Sequence, residues 1–164
     1  MAVTINGDGS ITPKSSVQPS GSILQIVSTN SKAVEFTNSS SYQHVSNFDT
    51  TITPQASNST LIISWIGSTC RAYDNNGEEG FAHFALTKDD GSNWLCENYH
   101  RCKTWNNDGS LSDTTHAIQF VESAGNTNAR TYEIWMKKTA GDAVEINPAN
   151  NSNNASMVIM EVAA

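Results

Sequence analysis

The sequence predicts an all-β domain. Ser, Thr and Asn account for 55 of the 164 residues, and the chain has 12 Ile and nine Val against five Leu. β-Branched side chains pack well on a pleated sheet, whereas Ser, Thr and Asn collect in turns and compete with helical hydrogen bonding. Short apolar stretches also recur at fairly regular spacing with turn residues between them. This pattern is typical of an antiparallel sandwich or barrel.

The first 21 residues predict an extended N-terminal arm. They contain repeated Gly, Pro, Ser and Asn, which interrupt regular structure. Their apolar positions are few and isolated, namely Val3, Ile5, Ile11 and Val17. Residues 22–164 then form the predicted β-sandwich domain.

Eleven strands are predicted in that domain: 22–28, 33–38, 42–48, 50–53, 60–67, 80–87, 93–98, 114–122, 129–138, 143–147 and 157–162. Residues 61–66 are almost continuously apolar, so we expect that strand in mid-sheet with both faces covered. In 129–138 the apolar residues alternate, and Trp135 falls on the otherwise polar face. Its position suggests that this face meets something, such as another subunit. Residues 88–92 predict a hairpin turn.

Charge and hydropathy exclude two classes of partner. Charged residues make up 15% of the chain and the net charge is −7, so no basic field is present to hold nucleic acid. No apolar run approaches the roughly 18 to 20 residues that span a bilayer, and the N-terminus lacks the pattern of a secretory signal. We therefore expect a soluble protein made in the cytoplasm, with no nucleic-acid or membrane partner.

The sequence leaves the role of the three cysteines open. Cys70, Cys96 and Cys102, with His100, supply ligand types that suit zinc. In a continuous strand, however, Cys96 and Cys102 would lie roughly 20 Å apart, so common ligation requires a turn between them. Buried free thiols are the other alternative, and a disulfide from Cys102 to Cys70 or Cys96 is no better supported. No cofactor is predicted.

No catalytic motif is recognised. The acidic loop 74–80 spaces oxygen ligands as a calcium loop would, but its Gly falls at the fourth position rather than the sixth. An irregular calcium site and a solvated acidic loop both remain open there. A catalytic carboxylate pair would need residues such as Asp74, Glu78 and Glu79 to lie in a cleft, and the sequence gives no support for one. His83 and His116 are interpreted as ordinary strand residues, and the four histidines, at 44, 83, 100 and 116, would form a catalytic triad only by spatial coincidence. We expect a protein that is not an enzyme.

A glycan-binding surface is a further hypothesis. Aromatic faces stack on sugar rings, while amides and carboxylates bond hydroxyl groups. The most aromatic part of the chain supplies both: Tyr73, Asn75, Asn76, Trp94, Tyr99, Trp105, Asn106 and Asn107. The alternative is that Trp94 and Trp105 fill the core or a subunit interface, since large aromatic side chains are mainly buried.

Several segments resemble a known family. Residues 21–29 (GSILQIVST) and 157–164 (MVIMEVAA) resemble the opening "GSILQVVST" and closing "ITLMEIA" of tail-fibre-like and other virion structural proteins of tailed phages, especially phages of marine bacteria. Between them, 49–54 with 59–63, and then 127–134, match that family's "SITP…NKILV" and "TTSA-TYKV" in order. Residues 5–11 (INGDGSI) look like the "INGDGTI" openings of phage fibre proteins. The resemblance covers nearly the whole chain and departs at about 70–112.

The resemblance implies a non-enzymatic, jelly-roll-like antiparallel β-sandwich, usually a homotrimer, displayed on the virion after synthesis in the host bacterium. It would be a capsid decoration or head fibre, or else a tail fibre or knob, and the brevity of the chain slightly favours the head. Residues 1–21 would attach it to other virion proteins, of the capsid or the tail. The alternative function is a receptor-binding or glycan-binding module of the phage tail that contacts a host surface glycan.

Overall fold

A computed structural model describes the backbone of residues 3–5, 11–13, 19–74, 79–103, 110–147 and 154–164, and the side chains of 19–72, 80–99, 114–147 and 154–164. The strands are β1 (Val3–Ile5), β2 (Ile11–Pro13), β3 (Ile23–Ser31), β4 (Glu35–Thr37), β5 (Gln43–His44), β6 (Thr50–Ile52), β7 (Thr60–Asp74), β8 (Glu79–Lys88), β9 (Asn93–Lys103), β10 (Ser110–Ser123), β11 (Arg130–Ala140), β12 (Ala143–Ile146) and β13 (Ala155–Val162). A short 3₁₀ helix, Ser46–Phe48, lies between β5 and β6.

The strand pairing is that of a jelly roll. β3 pairs with β13, β6 with β11, β7 with β10 and β8 with β9, all antiparallel, so that each pair is nested inside the previous one along the chain. The first sheet has the order β3-β13-β7-β10, and the second has β6-β11-β8-β9. β12 and β4 extend the first sheet beside the second half of β7, and β5 adds to β11. The predicted all-β, jelly-roll-like antiparallel sandwich is confirmed.

The core lies between the two sheets. Trp65 on β7 is its centre, with its ring centroid 5.5 Å from that of Phe84 and 6.3 Å from that of Phe48. Packing beside this ring is so close that a Cβ at Gly67 would lie 2.5 Å from both Trp65 and the sulfur of Cys70. Burying one large apolar side chain stabilises the fold by roughly 1.5–3 kcal/mol. The largest fully buried side chains are Trp65, Tyr132, Phe48, Phe84, Ile52, Leu61, Ile63, Leu86, Ile134, Met136, Ile146 and Met157.

The strand at 61–66 is central, as predicted, but only one of its faces is covered. Leu61, Ile63 and Trp65 are fully buried. The alternate residues point to the outer face of the first sheet, where Ile66 is 45% exposed. Within this chain, therefore, only one of the two faces that were predicted to be covered is covered. A continuous apolar run in the sequence does not by itself show that both faces are buried, because the outer face of a strand can also carry exposed apolar side chains.

Several strand limits differ from the prediction. Residues 42–48 form a two-residue strand and then the 3₁₀ helix, which turns both Val45 and Phe48 into the core. β7 and β9 continue to Asp74 and Lys103, well past the predicted ends, because they pair with β12, β10 and β8 over polar residues. Strand formation there depends on the partner strand more than on local composition. The predicted turn at 88–92 is confirmed, with positive φ at Asp89, Asp90 and Gly91.

Within the segment predicted as an N-terminal arm, the described residues form a short hairpin. β1 and β2 pair antiparallel, with Val3 opposite Pro13 and Ile5 opposite Ile11, whereas Val17 lies outside the described residues. Gly21 and Ser22 are hydrogen-bonded to Ala163. Gly21 N donates to Ala163 O at 2.8 Å, and Ala163 N donates to Ser22 O at 2.8 Å.

A buried carboxylate fixes the segment between β6 and β7. Glu161 on β13 is fully buried and accepts hydrogen bonds from Gln25 Nε2, Gln55 N, Ala56 N and Ser59 Oγ at 2.5–3.1 Å. Burial raises the pKa of Glu161, but the hydrogen bonds, first that of the Ser59 hydroxyl, outweigh it and hold the pKa below its usual value. Glu161 is therefore ionised and joins the last strand to the loop before β7.

Candidate functional site

The outer face of the second sheet carries a group of aromatic rings, here named the aromatic face. It consists of Tyr42, His44, His83, Trp94, Tyr99 and Trp135. Period-two alternation places Trp135 there, since its neighbours Ile134 and Met136 on β11 point into the core. Three separate parts of the sequence thus contribute to one surface.

Trp135 lies at the centre of the aromatic face. Cross-strand pairing places it between His44 of β5 and Ala85 of β8. The small side chain of Ala85 leaves room for the indole, and the His44 ring stacks on it with centroids 5.1 Å apart and planes inclined by 22°. Trp135 is therefore half-buried by contacts within its own chain.

Glu133 holds Trp135 and the β8–β9 turn together. Its buried carboxylate accepts hydrogen bonds from Trp135 Nε1 at 3.2 Å, Asp90 N at 2.8 Å and Gly91 N at 2.9 Å. Burial raises the pKa of Glu133, but these donors, first the Asp90 N–H, outweigh it, so the pKa lies below its usual value. A Cβ at Gly91 would lie 2.8 Å from Trp135, so the turn passes directly over the indole.

Trp94 and Tyr42 lie beside Trp135 on the aromatic face. Trp94 is the second residue of β9 and lies opposite Thr87, and its ring centroid lies 4.6 Å from that of Tyr42 and 6.5 Å from that of Trp135. The Tyr42 hydroxyl donates a hydrogen bond to Glu97, and Lys137 Nζ lies 4.1 Å from the centre of the Tyr42 ring. Burial, and then the hydrogen bond to Glu97, raise the pKa of Tyr42. Tyr42 is thus neutral and fixed, while Trp94 remains 49% exposed.

Tyr99 and His83 form a second pair on the same face. They are direct cross-strand partners on β9 and β8, with ring centroids 6.0 Å apart. His83 Nε2 lies 3.1 Å from the hydroxyl of Thr139, and burial followed by the charge of Lys137 lowers the pKa of His83. Tyr99 is 64% exposed. The two most exposed rings of the aromatic face, Trp94 and Tyr99, therefore both lie on β9.

The glycan-binding hypothesis drawn from the sequence included part of the aromatic face. Trp94 and Tyr99 lie together on it, whereas Tyr73 lies on β7 of the other sheet, opposite Leu111 and Ala143. The remaining five proposed residues, Asn75, Asn76, Trp105, Asn106 and Asn107, lie outside the described residues. Sequence reasoning missed Tyr42 and His44. For Trp135 the sequence did indicate a surface role, because this residue falls on an otherwise polar strand face.

The cysteines lie on different sheets. Cys70 on β7 is buried, and burial raises the pKa of its thiol to about 12. Cys96 on β9 is half-buried, and burial raises its pKa as well. The strand β9 runs without interruption from Cys96 past His100 to Cys102, although the side chains after Tyr99 are not described. Among the described residues, no three His, Cys, Asp or Glu side chains are placed to hold a metal ion.

The other chemical candidates fall in separate places. His44 Nε2 lies 2.8 Å from Asp49 Oδ1, and His116 is buried with its ring 5.1 Å from Phe84. The candidate carboxylates Asp74, Glu78 and Glu79, with the rest of the proposed calcium loop up to Gly80, are not described at the level of side chains. In the part of the chain that is described, no helix is long and apolar enough to cross a membrane.

The outer face of the first sheet has a different character. Ile26, Met160, Ile62 and Val121 are successive cross-strand partners on β3, β13, β7 and β10, and are here named the apolar stripe. Ile26 and Val121 are each 54% exposed. The next two rows on the same face are also uncharged and consist of Ser28, Val158, Ser64 and Gln119, and of Asn30, Ser156, Ile66 and Ala117.

Comparison with known proteins gives a distant likeness to a viral chain. No protein-family model matches the sequence. No curated protein matches it either. Among solved structures, the chain is similar to one in the structure of infectious bursal disease virus, Gt strain, with a TM-score of 0.38 and 15% identity over 99% of this chain and 47% of that chain. The chain therefore spans about half the length of that viral chain, and the phage family remains a prediction.

Proposed function

We propose that this chain is a non-enzymatic structural protein of a phage virion, displayed on the particle surface as a homotrimer. The observation that carries the proposal is the outer face of the first sheet, with its apolar stripe and two further uncharged rows. Contiguous exposed apolar surface on a soluble domain marks a site of association. Its occupant is a second copy of this chain.

Charge favours a second copy on this face. The chain carries a net charge of −7, so two copies repel each other through most of their surface. The apolar stripe and the two rows beside it contain no ionisable side chain. Identical chains therefore associate there without placing like charges opposite one another.

The resemblance of residues 21–29, 49–54, 59–63, 127–134 and 157–164 to virion proteins of tailed phages supports the virion role. The jelly roll is compatible with it, since capsid proteins and lectins both use this fold. Fold alone does not decide between those uses. Attachment to a neighbouring capsid or tail protein is assigned to residues 1–21.

Measurement of the oligomeric state tests the association. Light scattering of the purified wild-type chain at tens of micromolar is expected to give a trimer. Ile26→Lys and Val121→Lys place a charge in the apolar stripe and are expected to give monomers, whereas the control Asn128→Lys, on an exposed loop, leaves the trimer intact. A monomeric wild type, or stripe variants that remain trimeric, would contradict the proposal.

Deletion of residues 1–20 tests the attachment. The truncated chain is expected to remain a soluble, folded trimer that no longer enters particles. Normal incorporation would contradict the role given to the arm. Immunogold labelling of intact particles then distinguishes the two placements, because a capsid decoration gives gold on the head and a tail fibre gives gold on the tail. Particles that carry no label at either place would contradict the virion role itself.

A further inference from the structure

We propose that the aromatic face binds a neutral oligosaccharide, with Trp94 and Tyr99 as the two rings that stack on sugar. This inference goes beyond assembly and does not depend on it, because the apolar stripe lies on the other sheet.

The two rings are exposed but held in place. Trp94 and Tyr99 are 49% and 64% exposed, although large aromatic side chains are mainly buried. Tyr42 and Trp135 contact Trp94 from the side, and His83 contacts Tyr99. A ring that is fixed before a ligand arrives loses little side-chain freedom on binding. Each ring therefore presents an apolar surface at small entropic cost.

The anchoring rings are themselves fixed from below. Glu133 holds the Trp135 indole by its N–H, and Glu97 and Lys137 hold Tyr42 through its hydroxyl and its ring. Tyr42, Trp135 and His83 are accordingly positioning residues, whereas Trp94 and Tyr99 make the contacts with sugar. We therefore predict that substitution of Tyr42 or Trp135 alters sugar binding by changing the orientation of Trp94.

Position along β9 suits an extended ligand. Trp94 and Tyr99 are five residues apart on the same strand, which corresponds to a separation of about 15 Å along the strand. Glu97 points to the same face between them, and Lys137 lies opposite His83 on the adjoining strands. A carboxylate accepts hydrogen bonds from sugar hydroxyls and an ammonium donates them. Two stacking rings with polar groups between them match a chain of several sugar units.

The charge of the aromatic face favours a neutral oligosaccharide over an anionic one. The protein has a net charge of −7, and three carboxylates, of Glu97, Glu133 and Asp49, lie on or beside the aromatic face and outnumber the ammonium of Lys137 there. Anionic polysaccharides are repelled by such a surface. A second copy of this chain would bring the same carboxylates against it, which disfavours self-association here in comparison with the uncharged face of the first sheet.

A carbohydrate array provides the test. The wild-type chain is applied to immobilised neutral oligosaccharides of glucose, mannose and galactose, and the best ligand is then titrated in solution by calorimetry. Trp94→Ala and Tyr99→Ala are each expected to weaken binding by about tenfold or more, since each removes one stacking ring. Phe36→Ala is the matched control, because Phe36 is an aromatic residue that is 57% exposed on β4 of the other sheet. It is expected to bind as the wild type does.

Three results would overturn the proposal. They are the absence of binding to every neutral oligosaccharide on the array, unchanged affinity in both Trp94→Ala and Tyr99→Ala, and an equal loss in Phe36→Ala. Tyr99→Ala keeps the test decisive if Trp94→Ala fails to fold, which the urea midpoint of each variant shows. Light scattering of Trp94→Ala is a further check. A smaller oligomer would also overturn the proposal, because it would mean that a second copy covers this face.

Discussion

The carboxylate of Glu161 accepts a hydrogen bond of 2.5 Å from the hydroxyl of Ser59, 102 residues earlier in the chain. The last strand of the jelly roll is thereby joined to the loop that leads into its central strand. Gln55 N and Ala56 N donate to the same carboxylate. A segment without regular structure is thus held by one buried charge, which also accepts a hydrogen bond from Gln25 on β3.

Glu161→Gln is expected to destabilise the fold by about 2–3 kcal/mol. The amide offers one oxygen and places an N–H₂ group toward donors that need an acceptor, so a buried donor loses its partner. Urea unfolding at pH 7 measures the change. Glu35→Gln, a partly exposed carboxylate bonded to the side chain of Asn47, is the control and is expected to shift stability by less than about 1 kcal/mol. Equal losses in the two variants would contradict this account.

Stability is expected to fall in acid because of Glu133 and Glu161. Both have a pKa below the ordinary value of 4.5, so near pH 4.5 the unfolded chain binds more protons than the folded one. Their contribution is fully present above the unfolded pKa and is lost as the pH falls through the folded pKa values. Asp49, whose pKa burial raises above 3.8, acts in the opposite direction.

Urea midpoints between pH 7 and pH 3.5 measure this acid sensitivity. Glu133→Gln is expected to be less stable than the wild type at pH 7 and to lose less stability on acidification, so that the two curves converge. Parallel curves would show that the ionisation of Glu133 does not couple to folding.

Gly91→Ala is expected to destabilise the protein more than Gly125→Ala. Both glycines have positive φ, +71° and +67°, so each substitution carries a backbone cost of about 1 kcal/mol. A Cβ at Gly91 would also lie 2.8 Å from the Trp135 ring, whereas nothing lies within 4 Å of one at Gly125. The added clash is expected to cost about 1–3 kcal/mol more and to change the near-ultraviolet circular dichroism of Trp135. Equal effects would contradict the contact between turn and indole.

The two described thiols are expected to differ in reactivity. Cys70 is buried with a pKa raised to about 12, so it is expected to resist iodoacetamide at pH 8. Cys96 is half-buried and is expected to react slowly but measurably. Mass spectrometry of the labelled chain distinguishes them, and addition of urea is expected to make both react at the rate of an ordinary thiol. Rapid labelling of Cys70 in the native protein would show that its strand opens.

The class of fold was predictable because it depends on composition and period-two alternation. Tyr132, Ile134 and Met136 alternate on β11 and are all buried, as the sequence indicated. The coverage of 61–66 was not predictable, because an apolar outer face such as that of Ile62 and Ile66 has the same composition as a buried one. Whether another chain covers it is a property of the assembly.

The aromatic face was only partly predictable because it depends on contacts between distant residues. Trp94 and Tyr99 are close in sequence, and their aromatic character was visible. His44 and Trp135 are 91 positions apart and meet only because β5 pairs with β11. Glu133 appeared to be an ordinary charged residue on a polar strand face, and its burial follows from the turn that folds back over it.

The hydrogen bonds between Gly21, Ser22 and Ala163 bring the two ends of the sandwich to one pole of the molecule. A short Gly-Ser bridge from residue 164 to residue 21 would therefore span a small gap, and new termini opened at the exposed tip near Gly125 would yield a circular permutant with the same nested strands.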